Sequence, residues 1–191
     1  MTPRGPQLPH SLEPRRHDRP APARRALDDL FSAAYEELRR LASAVRRDDP
    51  SATISPTALV NEAWLKMADS PAVAQTSPLH FKRIAARAMR QVLVEAARRR
   101  NADKRGGGAA VVTFEEAMGG LTTADDVLGL DAALEELAQI APRQAQMVEA
   151  RFIGGLDVPE TATLLEVSEA TVLRDWRAAK AWLARALRQR S

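Results

Sequence analysis

The stretch from Asp157 to Leu187 predicts two helices joined by a tight turn, and it limits the fold more than any other part of the chain. Pro159 is placed to open a short helix, because the first turn of a helix does not use the N–H that proline lacks. Ser168 is a suitable N-cap for a second helix, since its hydroxyl can accept a hydrogen bond from a first-turn N–H. The pattern is that of a helix-turn-helix.

The second of these helices has two different faces. Its apolar residues recur at steps of four, three and four, as one side of an α-helix requires, and they are Val172, Trp176, Ala179 and Leu183. The opposite side carries Ala170, Arg174, Arg177, Ala181 and Arg188. A helix of about 20 residues, roughly 30 Å long, with arginines on its front suits a DNA major groove. An ordinary solvated face explains the same arginines, and this pattern alone does not choose between the two.

The turn between the two helices contains Glu166, at a point where glycine often supplies a left-handed backbone conformation. If the turn keeps that conformation, the glutamate is strained. The sequence therefore predicts either an altered turn or a strained residue at this position.

Composition favours an all-α protein. Hydrophobic residues make up 45% of the 191 residues and aromatic residues only 4%, while alanine, leucine, arginine and glutamate are abundant. The absence of cysteine excludes disulfides and cysteine-based zinc sites. No apolar run approaches the ~18 residues that span a bilayer, and the N-terminus lacks the apolar segment of a signal peptide. We therefore expect a cytoplasmic protein with no membrane insertion.

The N-terminal half divides into a tail and a helical domain. Residues 1–23 are rich in proline and arginine and nearly lack apolar side chains, so we expect a disordered tail. The apolar spacing over residues 24–105 predicts a three-helix bundle. Its first helix runs from Arg24 to about Arg47, its second starts at Ser55 as N-cap, and its third runs from about Ser77 to Arg100.

The third helix of this bundle is strongly basic. Between Ser77 and Arg105 there are nine basic and two acidic residues, a local excess of seven positive charges. Its outer stripe consists of Arg83, Arg87, Arg90 and Arg98. Such an excess is an electrostatic footprint for phosphates, whereas a merely solvated face would normally mix the two signs. We therefore favour nucleic acid as the ligand of this helix.

A flexible acidic linker is predicted between the two basic blocks. Gly106, Gly107 and Gly108 form a hinge, because no strand precedes them as a phosphate-binding loop would require. From Val111 to Ala141 there are seven acidic residues and no lysine or arginine. We assign residues 106–129 to the linker and residues 130–191 to a second domain of four helices, whose last two form the helix-turn-helix.

Four segments together resemble bacterial alternative sigma factors of the extracytoplasmic-function type, which belong to the sigma-70 family of RNA polymerase subunits. The segments are SPTALVNEAWLKM at 55–67, FKRIAARAMRQVLVEAARRRNADKRGGG at 81–108, APRQAQMVEARFIGGL at 141–156 and VSEATVLRDWRAAKAWL at 167–183. Together with the first helix they cover nearly everything after the tail. The resemblance implies two helical domains, an alternative sigma factor function and no cofactor or metal.

The resemblance also implies roles for particular residues. The second helix would dock on core RNA polymerase through Leu59, Val60, Glu62, Ala63 and Leu65. The basic helix would meet the minus-ten promoter element through Arg83, Arg87, Arg90 and Arg98. The loop from Asp69 to Pro78 would help capture an unstacked base, and the linker would run through the polymerase.

In the C-terminal domain, the resemblance implies that the minus-thirty-five element is contacted by Ser168, Glu169, Thr171, Arg174, Arg177 and Lys180. Two residues depart from the family pattern. Leu173 stands where a basic residue is frequent, and Glu166 replaces the turn glycine. The implied partners are core RNA polymerase and promoter DNA, and an anti-sigma factor or other regulator is a further candidate.

Two other functions are the alternatives. A free-standing helix-turn-helix regulator would bind duplex DNA tightly by itself, usually as a dimer, and no dimerisation helix or effector pocket is evident. An enzyme would need a catalytic constellation, and the three histidines, His10, His17 and His80, show no metal-ligand spacing and no partnered nucleophile. We therefore expect no enzymatic activity.

Overall fold

The computed structural model of the protein describes residues 22–45, 54–68, 73, 76–103 and 123–189. These residues form seven α-helices and no strand, so the predicted all-α class is confirmed. The helices are α1 (Pro22–Val45), α2 (Pro56–Ala68), α3 (Pro78–Asp103), α4 (Ala124–Ile140), α5 (Pro142–Val148), α6 (Val158–Leu165) and α7 (Glu169–Gln189). None of them is both long and apolar enough to cross a membrane. Residues 1–21 of the predicted tail, residues 106–122 of the predicted linker and most of the 69–78 loop lie outside the described residues. Pro22 and Ala23, which were assigned to the tail from sequence, are instead the first residues of α1.

Local capping explains where α2 and α3 begin. The Ser55 hydroxyl accepts a hydrogen bond from the Ala58 N–H at 3.1 Å, and the Ser77 hydroxyl accepts one from the His80 N–H at 3.3 Å. Each serine precedes a proline at the first helical position, where the missing N–H has no consequence. The predicted starts of both helices are confirmed.

Helix α4 begins at Ala124, six residues before the predicted start of the second domain. Thr123 and Asp126 form a capping box, in which the Asp126 N–H donates to the Thr123 hydroxyl at 3.1 Å and the Thr123 N–H donates to the Asp126 carboxylate at 2.8 Å. Asn101 near the end of α3 also donates to the Asp125 carboxylate at 2.8 Å. Residues 124–129, assigned to the linker from sequence, are therefore helical.

Helices α1, α2 and α3 pack against one another as the predicted three-helix group. Leu38, Leu59 and Phe81, one from each helix, are almost completely buried at its centre. Phe31 of α1 stacks on Trp64 of α2, with their ring centroids 4.4 Å apart. Aromatic stacking at this distance adds to the apolar burial that holds the two helices together.

Helices α4 to α7 form the second group. Helix α5 continues into a π-helical turn at Glu149–Ile153, and Gly155 then adopts a φ of +67°. The Leu156 N–H donates to the Ala150 carbonyl at 3.1 Å, so the glycine pair ends this helix as predicted. A Cβ at Gly155 would overlap the Leu41 side chain of α1, so glycine also permits close approach of the first group.

The two groups are packed along α3. This helix contacts α4, the π-helical turn and α6, while α1 also touches the π-helical turn. Buried apolar residues of both groups form one continuous cluster, which extends from Leu27 in α1 to Leu187 in α7. The packing brings the basic helix α3 against acidic residues of the second group.

Candidate nucleic-acid interface

Helices α6 and α7 form the predicted helix-turn-helix. Asp157 caps α6, because its carboxylate accepts from the Glu160 N–H at 2.8 Å and its own N–H donates to the Glu160 carboxylate at 3.0 Å. Pro159 lies in the first turn, where the sequence placed it. The helix ends at Leu165 with Glu166 as its C-cap, and the Val167 N–H donates to the Ala162 carbonyl at 3.1 Å.

Glu166 has a left-handed backbone, with φ of 55° and ψ of 44°. Among the described residues it is the one non-glycine residue with positive φ. The turn thus keeps the geometry that glycine usually supplies, and the predicted strain at this position is confirmed. For a residue with a Cβ, this conformation costs roughly 1–2 kcal/mol.

Ser168 caps α7, the helix predicted to contact DNA. Its hydroxyl accepts from the Thr171 N–H at 3.2 Å and lies 2.9 Å from the Thr171 hydroxyl. The predicted front of α7 is exposed throughout, at Ala170, Arg174, Arg177, Ala181 and Arg188. Glu169 is also exposed, whereas Thr171 and Lys180 are partly buried at its sides. The six C-terminal residues predicted to bind DNA therefore lie on or beside a single outward face.

The back of α7 is held by an ion pair that the sequence analysis missed. Asp175 is buried, and its carboxylate accepts from Arg143 of α5 at 2.7 Å and 3.1 Å. Arg174, 70% exposed, brings its Nε within 3.6 Å of the same carboxylate. The position of Asp175 beside Val172 and Ala179 on the apolar side was the available signal, since a charge there needs a buried partner.

A second cation holds α7 from the π-helical turn. The guanidinium carbon of Arg151 lies 4.5 Å from the ring centroid of Trp176, in a cation–π contact. Burial lowers the pKa of Arg151, and the charge of Asp157 acts in the opposite direction. The Nε and Nη1 atoms of Arg151 find no hydrogen-bond acceptor among the described residues, so the aromatic face compensates part of the desolvation.

The arginines of the basic stripe of α3 differ in exposure and in partners. Arg87 and Arg98 are exposed, and Arg83 is partly buried. Arg90 is only 21% exposed, because its Nε donates to the Asp131 carboxylate at 2.8 Å and its Nη1 donates to the Glu149 carboxylate at 3.1 Å. Glu135 lies 4.0 Å from the same guanidinium.

Three arginines of the stripe border a groove of about 650 Å³ between α3 and the second group. The α3 wall carries Arg87, Arg90 and Arg98 together with Glu95, and the other wall carries Asp131, Glu135 and Glu149. Arg98 also reaches to within 3.8 Å of Asp131. Because four carboxylates line the groove against three arginines, the groove does not attract phosphates in this arrangement. The stripe can offer its full charge to DNA only if α3 and the second group separate.

Lys82 ties three helices together on another side of α3. Its ammonium donates to Glu37 of α1 at 2.8 Å and to Glu160 of α6 at 3.2 Å. Burial by itself would lower the pKa of Lys82, but the two hydrogen bonds and the two nearby charges raise it above its ordinary value. Lys82 is therefore a structural cation and not part of an exposed phosphate-binding surface.

The residues predicted to bind core polymerase are placed differently from one another. Leu59, Val60 and Ala63 are at most 2% exposed and form part of the protein's own hydrophobic core. Leu65 is 66% exposed, and Glu62 is partly buried. Only the latter two offer side chains to a partner in this structure, while the three buried ones fix the helix that carries them.

Comparison with known proteins identifies one family. The family model described as ECF sigma factor matches residues 23–189, most of the chain. No curated protein and no solved structure gives a significant match. The matched range spans both helical groups, the basic helix α3 and the helix-turn-helix.

Proposed function

The chain belongs to the ECF sigma factor family, and from this premise we propose that both of its helical groups contact promoter DNA. Membership implies an alternative sigma factor that binds core RNA polymerase for promoter-specific initiation of transcription. Core polymerase and promoter DNA as partners imply action in the cytoplasm, and an anti-sigma factor or other regulator is a further candidate partner.

The outward face of α7 is the observation on which the proposal depends. Ser168 and Thr171 lie at the helix N-terminus, where hydroxyls and backbone N–H groups suit phosphates. Arg174 and Arg177 follow on the exposed face and can reach phosphates or base edges in a major groove. We propose that this face, with Glu169 and Lys180 at its sides, binds the minus-thirty-five element.

Helix α3 is proposed to meet the minus-ten element. Arg87 and Arg98 are exposed, Arg83 is partly exposed, and all three project from one basic helix. Arg90 would join them after it leaves Asp131 and Glu149. The cationic stripe supports phosphate contacts, which are independent of sequence and strongly dependent on salt.

We propose that α2 docks on core polymerase through Leu65 and Glu62. An exposed leucine beside a carboxylate offers an apolar contact with a polar rim, as protein interfaces commonly do. Leu59, Val60 and Ala63 then contribute indirectly, because their burial fixes the orientation of α2.

A free-standing helix-turn-helix regulator is the alternative. It would bind DNA well without polymerase through α7 alone, whereas the engagement of Arg90 by Asp131 and Glu149 withholds one cation of α3 from DNA. Each helical group alone is expected to bind DNA only in the non-specific range of ~10⁻⁴ to 10⁻⁶ M. On one polymerase, the two groups gain effective concentration and act together.

Run-off transcription tests the proposal. Core polymerase with the chain, incubated with genomic fragments, is expected to give discrete transcripts that core polymerase alone does not give. The matched variant Arg174→Ala with Arg177→Ala should retain binding to core polymerase and lose those transcripts. If the chain neither co-purifies with core polymerase at low salt nor produces discrete start sites, the proposal is wrong.

A further inference from the structure

Leu173 lies on the DNA-facing side of α7 although leucine usually lies inside. It is 45% exposed, and Leu65 and Ile140 are the other large apolar side chains that are exposed in the described residues. We propose that Leu173 is a specificity-determining residue that contacts the C5 methyl group of a thymine in the major groove. This inference rests on the proposed function and gives the α7 face a particular base preference.

The neighbours of Leu173 are those of a DNA-reading surface. Ala170, Arg174 and Arg177 lie three residues before, one after and four after it, so all four share one side of the helix. The Arg177 Nε donates to the Leu173 carbonyl at 3.2 Å, and this hydrogen bond holds the Arg177 guanidinium group close to Leu173. Ala170 has only a methyl side chain and leaves room for a base edge to approach.

The structure fixes the direction in which Leu173 points. Val172 and Ala179 are almost completely buried on the opposite side of α7. Asp175 is bonded to Arg143, so a charged pair also resists rotation of the helix. Turning Leu173 into the hydrophobic core would expose these groups. The leucine therefore belongs to the outward face and is not a displaced core residue.

Chemistry limits what an exposed leucine can recognise there. Its side chain has no donor or acceptor, so it cannot bind a phosphate or the polar edge of a base. The thymine methyl is the apolar group that the major groove presents, and no other standard base carries it. Helix α7 has two acidic residues, Glu169 and the buried Asp175. The exposed arginines therefore give the outward face a positive charge, which suits DNA.

The expected size of the effect follows from the area of one methyl group. Burying a group of this size contributes about 0.8 kcal/mol of binding free energy. Since about 1.4 kcal/mol corresponds to a tenfold change in Kd, this contribution is about a fourfold change in affinity. We therefore expect preference for thymine at one base pair of the minus-thirty-five element, with about a fourfold loss when the methyl is absent.

The test uses holoenzyme assembled from core polymerase and the full chain. Duplexes are selected from a library randomised upstream of the start site, and each thymine of the selected motif is then replaced singly by deoxyuridine, which lacks the methyl. For the wild-type chain, deoxyuridine at one position is expected to weaken binding about fourfold. For Leu173→Ala, the same replacement should change binding less than 1.5-fold, roughly the residual expected when the methyl has no partner. Ile140→Ala removes an even more exposed apolar side chain from another surface and should behave as wild type.

The possible outcomes separate the two proposals. Two outcomes overturn the leucine proposal and leave the sigma function standing. In the first, the wild-type holoenzyme selects a motif but no deoxyuridine replacement changes its affinity. In the second, deoxyuridine weakens binding by the Leu173→Ala holoenzyme as much as by the wild type. If Leu173→Ala weakens assembly with core polymerase and leaves base preference unchanged, the leucine contacts protein and the proposal is also overturned. If no motif is selected at all, the proposed function fails and this inference fails with it.

Discussion

Replacing Arg90 by methionine removes the charge that holds α3 to the second helical group while keeping most of the apolar stem. In the native structure Arg90 bonds Asp131 and Glu149, whose side chains are only 10% and 11% exposed. Removing one partner from such a buried pair leaves carboxylates uncompensated and typically costs 3–5 kcal/mol. Arg98 remains near Asp131 and the groove is open, so we expect a loss near the lower limit, about 3 kcal/mol.

Urea denaturation followed by circular dichroism measures this loss. For a chain of this length, about 3 kcal/mol also corresponds to a fall in Tm of roughly 6–12 °C. Arg87→Met is the matched control, because Arg87 lies about one turn earlier on α3 and is exposed. Its expected effect is within about 0.5 kcal/mol, as for most surface substitutions.

A rescue experiment separates charge from packing. Adding Asp131→Asn and Glu149→Gln to Arg90→Met neutralises both carboxylates and should recover more than half of the lost stability, because neutral amides are much less costly to bury. If Arg90→Met costs no more than Arg87→Met, or if the neutral partners recover nothing, the argument that this ion cluster joins the two groups is refuted.

Three further predictions concern single residues. Glu166→Gly should raise the unfolding free energy by about 0.5–1 kcal/mol in thermal unfolding, since relief of left-handed strain exceeds the extra freedom of unfolded glycine. Leu59→Ala should cost about 2–5 kcal/mol in urea denaturation, whereas Leu65→Ala should leave stability nearly unchanged and reduce co-purification with core polymerase. Because the folded-state pKa of Lys82 is raised, its ammonium stabilises the fold fully below its unfolded pKa of about 10.4. The stability difference between wild type and Lys82→Met should therefore be constant from neutral pH to about pH 9.5 and shrink at higher pH.

Each of these predictions has a contrary outcome. Glu166→Ala retains the Cβ and should give no gain, so an equal gain from alanine and glycine would argue against strain. Equal polymerase binding by the Leu65 variant would remove that residue from the proposed contact. A stability difference for Lys82→Met that grows as the solution becomes more alkaline would contradict the raised pKa.

The parts of the structure that follow local rules were predictable from sequence. The Ser168 cap, the two faces of α7 and the left-handed Glu166 all depend on residues within a few positions of one another. The start of α4 also had a local signal, since Thr123 followed by Asp126 fits a capping box. Apolar spacing instead indicates a boundary near Leu130, because the acidic first turn of α4 contains too few apolar residues to show a helical pattern.

The charge partners of α3 could not be derived in the same way. Arg90 pairs with residues 41 and 59 positions away, and Lys82 pairs with Glu160 at a separation of 78. An arginine stripe looks the same in sequence whether it faces water, DNA or carboxylates from another helix. Likewise, the sequence shows that Leu59 and Leu65 are both apolar residues of one helix. Only the packing of α1 and α3 against that helix decides that Leu59 is buried and Leu65 is exposed.

The affinity of the chain for its promoter, measured with and without core polymerase, shows whether specific DNA binding depends on the polymerase. Fluorescence anisotropy with a labelled promoter duplex recovered from the run-off experiment gives both values at one salt concentration. We expect weak binding by the chain alone, in the range of ~10⁻⁴ to 10⁻⁶ M, and at least about a hundredfold tighter, sequence-dependent binding by the holoenzyme. Tight and specific binding by the chain alone, unchanged by core polymerase, would contradict this expectation and identify a free-standing regulator.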